Sequence, residues 1–190
     1  MSDSRQIVMI VGSNRPGSSS KRIADLLIPV YASYGETLKV LDLSELPQNM
    51  FLPTAYAEKP EELKRFTDSV LESKGLLVLT PEYNGSMSGV LKYFIDMLPF
   101  PESFEHRPVA FIGVAAGIWG GLRAVEHLQG VFGYRNAFIY PNRIFLARVF
   151  EHFKDMEKFQ SGLEYQLIKD QARGFSAFCD AIVAMKHKLS

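Results

Sequence analysis

The run Ile7-Val8-Met9-Ile10-Val11 contains no polar residue, and four of its five side chains are β-branched. Such a strand is buried on both faces, as strands in a parallel sheet are. A parallel sheet needs crossover segments, and helical patterns alternate with apolar runs along the rest of the chain. Helix is predicted over 18–34, strand over 38–43, helix over 61–73 and strand over 75–80. Helix over 90–98 is closed by Pro99, and strand over 108–116, helix over 122–131 and strand over 137–140 follow. Residues 142–149 read either as strand or as connection. A long amphipathic helix over 162–186 steps through Leu163, Leu167, Phe175, Phe178, Ile182 and Met185, with Cys179 beside that stripe. The alternation argues for βαβ units in an α/β fold, a single domain over 1–190 without internal repeats. The connection 44–60 holds three prolines together with Phe51 and Tyr56. It reads as a partner contact or as a plain surface crossover.

The stretch after the first run is Gly12-Ser13-Asn14-Arg15-Pro16-Gly17-Ser18-Ser19-Ser20. Small residues let backbone N–H groups approach a ligand, hydroxyls add donors, and the helix that follows adds the positive end of its dipole. The result is a phosphate cradle. The dinucleotide fingerprint fails at Asn14, where its second glycine belongs, and the triphosphate loop fails at Ser18, where its lysine belongs. The third strand ends in Thr80-Pro81 and offers no aspartate for magnesium. What remains is a loop of hydroxyls plus Arg15, suited to a monophosphate held without metal.

Composition excludes several partners. Lys and Arg together number 21, as do Asp and Glu, so no excess charge faces nucleic acid or an anionic membrane. The single cysteine rules out an intrachain disulfide or a cysteine metal cluster, and burial makes it an inert thiol. His106, His127, His152 and His187 have no metal-ligand spacing and read as surface or helix residues; Asp96 reads as structural. The polar start 1–6 leads straight into the first strand, without an apolar leader or a membrane-spanning run. These features point to the cytoplasm.

In a parallel sheet the strand-to-helix loops leave one edge, and ligands bind there where strand order reverses. With order 2-1-3-4-5, the loops after strands one, three and four are neighbours. The second of these, Pro81-Glu82-Tyr83-Asn84-Gly85-Ser86, presents a planar aromatic with an amide side chain and backbone donors. The third offers Gly117, Gly120 and Gly121 for close approach and Trp119 to stack on or wall a ligand. A phosphate at one end and a flat polar ring at the other describe a mononucleotide.

Three elements resemble the NADPH-dependent FMN reductases, a flavodoxin-like family that includes quinone, azo-dye and chromate reductases. They are Gly12-Ser13-Asn14-Arg15-Pro16-Gly17-Ser18, then Pro81-Glu82-Tyr83-Asn84-Gly85-Ser86 running into Gly89-Val90-Leu91-Lys92, then Gly120-Gly121-Leu122-Arg123-Ala124. The resemblance implies a three-layer flavodoxin-like sandwich with a five-stranded parallel sheet in order 2-1-3-4-5. It implies that Ser13, Arg15, Ser18 and Ser20, with Ser19 between them, hold the FMN phosphate. Pro81, Glu82, Tyr83, Asn84 and Gly85 would line the isoalloxazine ring. Two positions depart from the family's pattern: Ser20 stands where asparagine is frequent, and Ala115 where serine is frequent.

The implied activity passes a hydride from NAD(P)H through FMN to a small acceptor. Because flavin does the chemistry, no acid–base residue is expected to be essential. Arg15 would neutralise the phosphate. The amides of Asn84 and Gly85 would face the N5 and O4 side of the ring, and Gly117 its pyrimidine edge. Glu82 has the alternative of bridging subunits. The resemblance also implies a homodimer or homotetramer, with the third helix and the Phe51–Tyr56 region as candidate contacts. Two other readings stay open: an FMN electron carrier served by a protein donor, and a binding protein that kept only the fold.

Overall fold

The computed structural model describes residues 6–189, with side chains described as far as Met185. The start 1–5 and the side chain of His187 lie outside the described residues. Strand β1 (Ile7–Val11) leads to helix α1 (Ser19–Ala32) and strand β2 (Leu38–Asp42). The connection after β2 winds through three short 3₁₀ turns, Leu43–Glu45, Gln48–Phe51 and Pro53–Tyr56. Helix α2 (Lys64–Glu72) follows a fourth such turn and precedes β3 (Gly75–Pro81). Then come α3 (Gly89–Met97), β4 (Pro108–Val114), α4 (Leu122–Tyr134), β5 (Phe138–Ile139) and β6 (Ile144–Leu146). Short helices α5 (Val149–His152) and α6 (Met156–Ser161) lead to the long α7 (Leu163–Leu189). Among the described residues no helix is long and apolar enough to cross a membrane.

Every strand pairing is parallel and the order is β2-β1-β3-β4-β5, with β6 also paired to β4. Alternation along each strand sends side chains to two separate cores. Val8, Ile10, Leu76, Val78, Val109 and Phe111 meet Phe66 of α2, Leu91 and Phe94 of α3, and Leu128 and Phe132 of α4. Ile7, Met9, Leu77, Leu79, Ala110 and Ile112 meet Ile23, Leu27 and Tyr31 of α1 and Ile168, Phe175 and Cys179 of α7. This is the three-layer flavodoxin-like sandwich, with its sheet in the order the resemblance implies.

The fifth strand position is filled in two pieces. β5 pairs with β4 at Pro108 and Val109, and β6 resumes the ladder at Ile112. Pro141 lies in the gap and has no N–H for a ladder bond. The buried amide of Gln171 on α7 reaches in, and its Nε2 donates to Phe111 O at 3.1 Å and Asn142 O at 2.7 Å. Residues 142–149 therefore contain a strand. Of the apolar stripe read on α7, Phe175 is buried and Phe178 packs against the core, but the ends of the stripe lie elsewhere than periodicity suggested. Leu163, Leu167 and Met185 are exposed, while Ile168, Gln171, Ala172, Phe175 and Cys179 are buried. Cys179 lies on the buried line itself, its Sγ set against Gly75 of β3, where a Cβ would collide with it.

Candidate functional site

The loop after β1 is drawn tightly against the sheet. Gly12 N–H donates to Leu79 O at 2.8 Å. A Cβ on Gly12 would stand 2.8 Å from Leu91 Cδ2 and 2.9 Å from Leu79 O, so only glycine lets the chain pass. Gly17 takes a left-handed φ of 63°, and Ser18 N–H closes the turn on Arg15 O at 3.2 Å. Ser18 caps α1: its Oγ accepts from Lys21 N–H at 3.2 Å and its carbonyl from Arg22 N–H at 3.2 Å. Ser19 and Ser20 supply the remaining amides of the first turn, which have no carbonyl within the helix to bond. They point with the helix dipole towards the loop, where an anion is stabilised.

The loop after β3 is a two-residue hairpin. Tyr83 N–H donates to Ser86 O at 2.9 Å and Ser86 N–H to Tyr83 O at 3.1 Å. Asn84 and Gly85 sit between them at φ 51° and 75°. Two central residues with positive φ make a type I′ turn, which Asn-Gly favours. Its hydrogen bonds join the outer residues and leave both central amides outside the ring they close. Tyr83 OH and Ser13 Oγ share a 3.0 Å hydrogen bond that ties this loop to the first. The Glu82 carboxylate accepts from Arg123 N–H at 3.2 Å and pairs with the Arg123 guanidinium at 3.4 Å. Glu82 thus caps α4 within its own chain.

The loop after β4 is built differently from its reading as a ligand-approach loop. A Cβ on Gly113 would lie 2.6 Å from Gly120 O, and one on Gly121 2.7 Å from Gly113 Cα. These glycines let the entrance of α4 cross β4 at close range. Gly117 is exposed, and its carbonyl accepts from Arg148 N–H at 3.1 Å. Val149 N–H donates to Ala115 O at 3.1 Å. Through these two bonds the loop after β6 joins the site, with Arg148 at φ 47° and Phe150 partly exposed at the cavity's rim.

A cavity of about 480 Å³ lies between these loops, within the usual size for a cofactor site. Arg15, Pro16, Gly17, Ser18, Ser19 and Ser20 form one end, Pro81, Glu82 and Tyr83 a second wall. Val114, Ala115, Ala116, Val149 and Phe150 close it. Ser13 is buried behind the wall on its bond to Tyr83, whereas Asn84, Gly85, Gly117 and Trp119 lie outside the lining. Trp119 is half exposed, with the Arg123 guanidinium 5.7 Å from its ring. Phe150 and Val149 escaped the sequence reading, because only the left-handed Arg148 and two bonds between loops bring them here. The Arg15 guanidinium lies 5.9 Å from the Tyr83 ring, between the hydroxyl end and the aromatic wall. A phosphate-bearing mononucleotide fits this donor set: two unbonded helix amides, three serines and a cation at one end, apolar and aromatic walls beyond.

Parallel order β2-β1-β3-β4-β5 with this cradle at its switch point defines a flavodoxin-like flavoprotein. Within that class, the chain belongs to the NADPH-dependent FMN reductase family, whose sequence pattern matches residues 5–152. It is 34% identical to a 2-hydroxy-1,4-benzoquinone reductase from a Burkholderia species, over 68% of this chain and 70% of that one. It is 35% identical to an NAD(P)H-dependent FMN reductase from Pseudomonas aeruginosa over the same shares. An NADPH azoreductase from a Bacillus species is 28% identical over 97% of this chain and 98% of its own. In three dimensions the chain resembles an NADH:FMN oxidoreductase in its apo form, with a TM-score of 0.76 at 18% identity over 90% and 88% of the two chains. An oxidoreductase from Corynebacterium diphtheriae follows at 0.72 and 21%, over 97% and 99%. The protein is an FMN-dependent NAD(P)H oxidoreductase.

Proposed function

We propose that the cavity holds FMN with its phosphate on Ser18, Ser19, Ser20 and Arg15, and its ring against Pro81, Glu82 and Tyr83. The acceptor is a small quinone or azo compound. The observation that carries this is the pairing, in one cavity, of a helix N-terminus bearing unbonded amides with an aromatic wall. FMN, when bound, supplies the two-electron relay between NAD(P)H and the acceptor. The chain's own residues bind and orient it. Arg15 offsets phosphate charge, and its planar fork suits two oxygens at once. Ser13 holds the Tyr83 hydroxyl, which fixes the wall. Asn84 and Gly85 lie beyond the lining, at the end of the Tyr83 wall, and their amides, unused by the turn, would meet the ring's polar edge only where it extends past that wall. Ala115, Ala116, Val149 and Phe150 take the wall assigned by sequence to Gly117 and Trp119. No side chain is asked to move a proton.

The relatives named for quinones and azo compounds support that acceptor class. The test is steady-state NADPH oxidation by the FMN-loaded protein with 1,4-benzoquinone and with an azo dye. Turnover that depends on the acceptor supports the reading, and oxidation indifferent to either compound overturns it. The same proposal includes a cytoplasmic homodimer or homotetramer. Phe51, Leu52 and Tyr56 are exposed, and Phe51 and Tyr56 pack on Tyr93 of α3, which supports an apolar contact face. A monomer in sedimentation at micromolar concentration contradicts it.

A further inference from the structure

Helix α4 grips the ring-side turn at two points one helical turn apart. Arg123 and His127 are four residues apart on one helix face. Glu82 and Ser86, the residues they hold, flank Tyr83, Asn84 and Gly85. Arg123 secures Glu82 through its N–H and guanidinium, and its Cδ would be 3.7 Å from a Cβ on Gly85. His127 Nδ1 and Ser86 Oγ share a hydrogen bond of 2.8 Å. Ser86 in turn makes both backbone bonds that close the turn with Tyr83. The turn's own two bonds are each worth little net in water; Tyr83 is also held by Ser13, and Ser86 by His127. The bond from His127 fixes the residue on which both depend.

We propose that His127 is a positioning residue: through Ser86 it holds the turn of Tyr83, Asn84 and Gly85 in the conformation that presents its amides to FMN. The flavin part rests on the site reading above; the clamp itself does not. Two readouts on the apoprotein separate them, with wild type, H127A, H127N and S86A compared. Asparagine places a hydrogen-bonding atom where Nδ1 stands. Hydrogen–deuterium exchange across 83–86 needs no flavin. H127A and S86A are expected to speed exchange there about tenfold while β1 stays protected, and H127N to restore it. In FMN titrations both alanine variants are expected to bind roughly three- to tenfold more weakly, with a changed visible circular dichroism of the bound flavin. The double variant is expected to be no worse than either single one. Unchanged exchange in H127A and S86A overturns the clamp, as does a defect in H127N equal to that of H127A. Normal FMN affinity with faster exchange overturns the link to flavin. Failure of the wild type to bind FMN overturns the site reading, and the exchange data still judge the clamp.

Discussion

Arg15 is exposed at the end of the cavity where the helix amides converge, so its charge is available to a ligand and not consumed by a partner carboxylate in the same loop. Arg15→Ala is expected to weaken FMN binding by ~1.5–3 kcal/mol, the range for a hydrogen bond to a charged group. Fluorescence titration of FMN reads this directly; an unchanged affinity places the phosphate elsewhere. Cys179 gives a second test at this scale. Burial pushes its thiol, and the phenol of Tyr31, well above their ordinary values. An unfolded thiol ionises at about pH 8.5, where the folded one keeps its proton. The unfolded state then binds fewer protons, so stability is full below that pH and falls above it, by at most ~1.4 kcal/mol per pH unit from this group. Urea midpoints at pH 7.5 and 9.5 are expected to fall more steeply in wild type than in C179S; equal slopes contradict the account. That Arg15 and the three serines share one loop at a helix N-terminus was legible because strand, small residues and helix follow in direct sequence. Glu82 was not legible as a helix cap, since its partner Arg123 lies on a helix reached only after another strand.

Elements here are joined by polar ties as well as by apolar faces. Lys74, at the entrance to β3, is buried with its Nζ 2.7 Å from Glu36 Oε1 and 2.8 Å from Asp180 Oδ1 of α7. Burial opposes its charge, yet the hydrogen bonds to Asp180 and Glu36 outweigh that and hold its pKa above the ordinary value. Lys74→Met leaves Glu36 almost buried without its cation. It is expected to cost about 2–3 kcal/mol, below the range for fully buried pairs because Asp180 is exposed. Urea denaturation measures this, and adding Glu36→Gln is expected to restore part of the loss. The strands were legible from apolar runs that need no knowledge of their partners. The break between β5 and β6 was not, because it depends on Gln171 reaching across from α7. The ends of the α7 stripe were misplaced for a related reason: periodicity finds an apolar face but does not say which of two adjacent lines the sheet covers.

At the scale of the whole molecule, parallel order puts every strand-to-helix loop on one edge, and the reversal between β1 and β3 opens the space between them. The two cores fix α1 to one face and α3 and α4 to the other, so the phosphate end and the ring end of the cavity belong to opposite layers. Ser13 and Tyr83 bridge those layers with a single hydrogen bond. This convergence of distant loops was legible once the strand order was taken from the resemblance, whereas the arrival of Phe150 was not. The proposed flavin site rests on this convergence. The most direct test is the visible absorption spectrum of the purified protein with FMN added and the excess removed, followed under anaerobic conditions on addition of NADPH. Retained flavin absorption that bleaches within seconds of mixing is expected. A protein that retains no flavin, or retains it and stays oxidised in excess NADPH, contradicts a working flavin site.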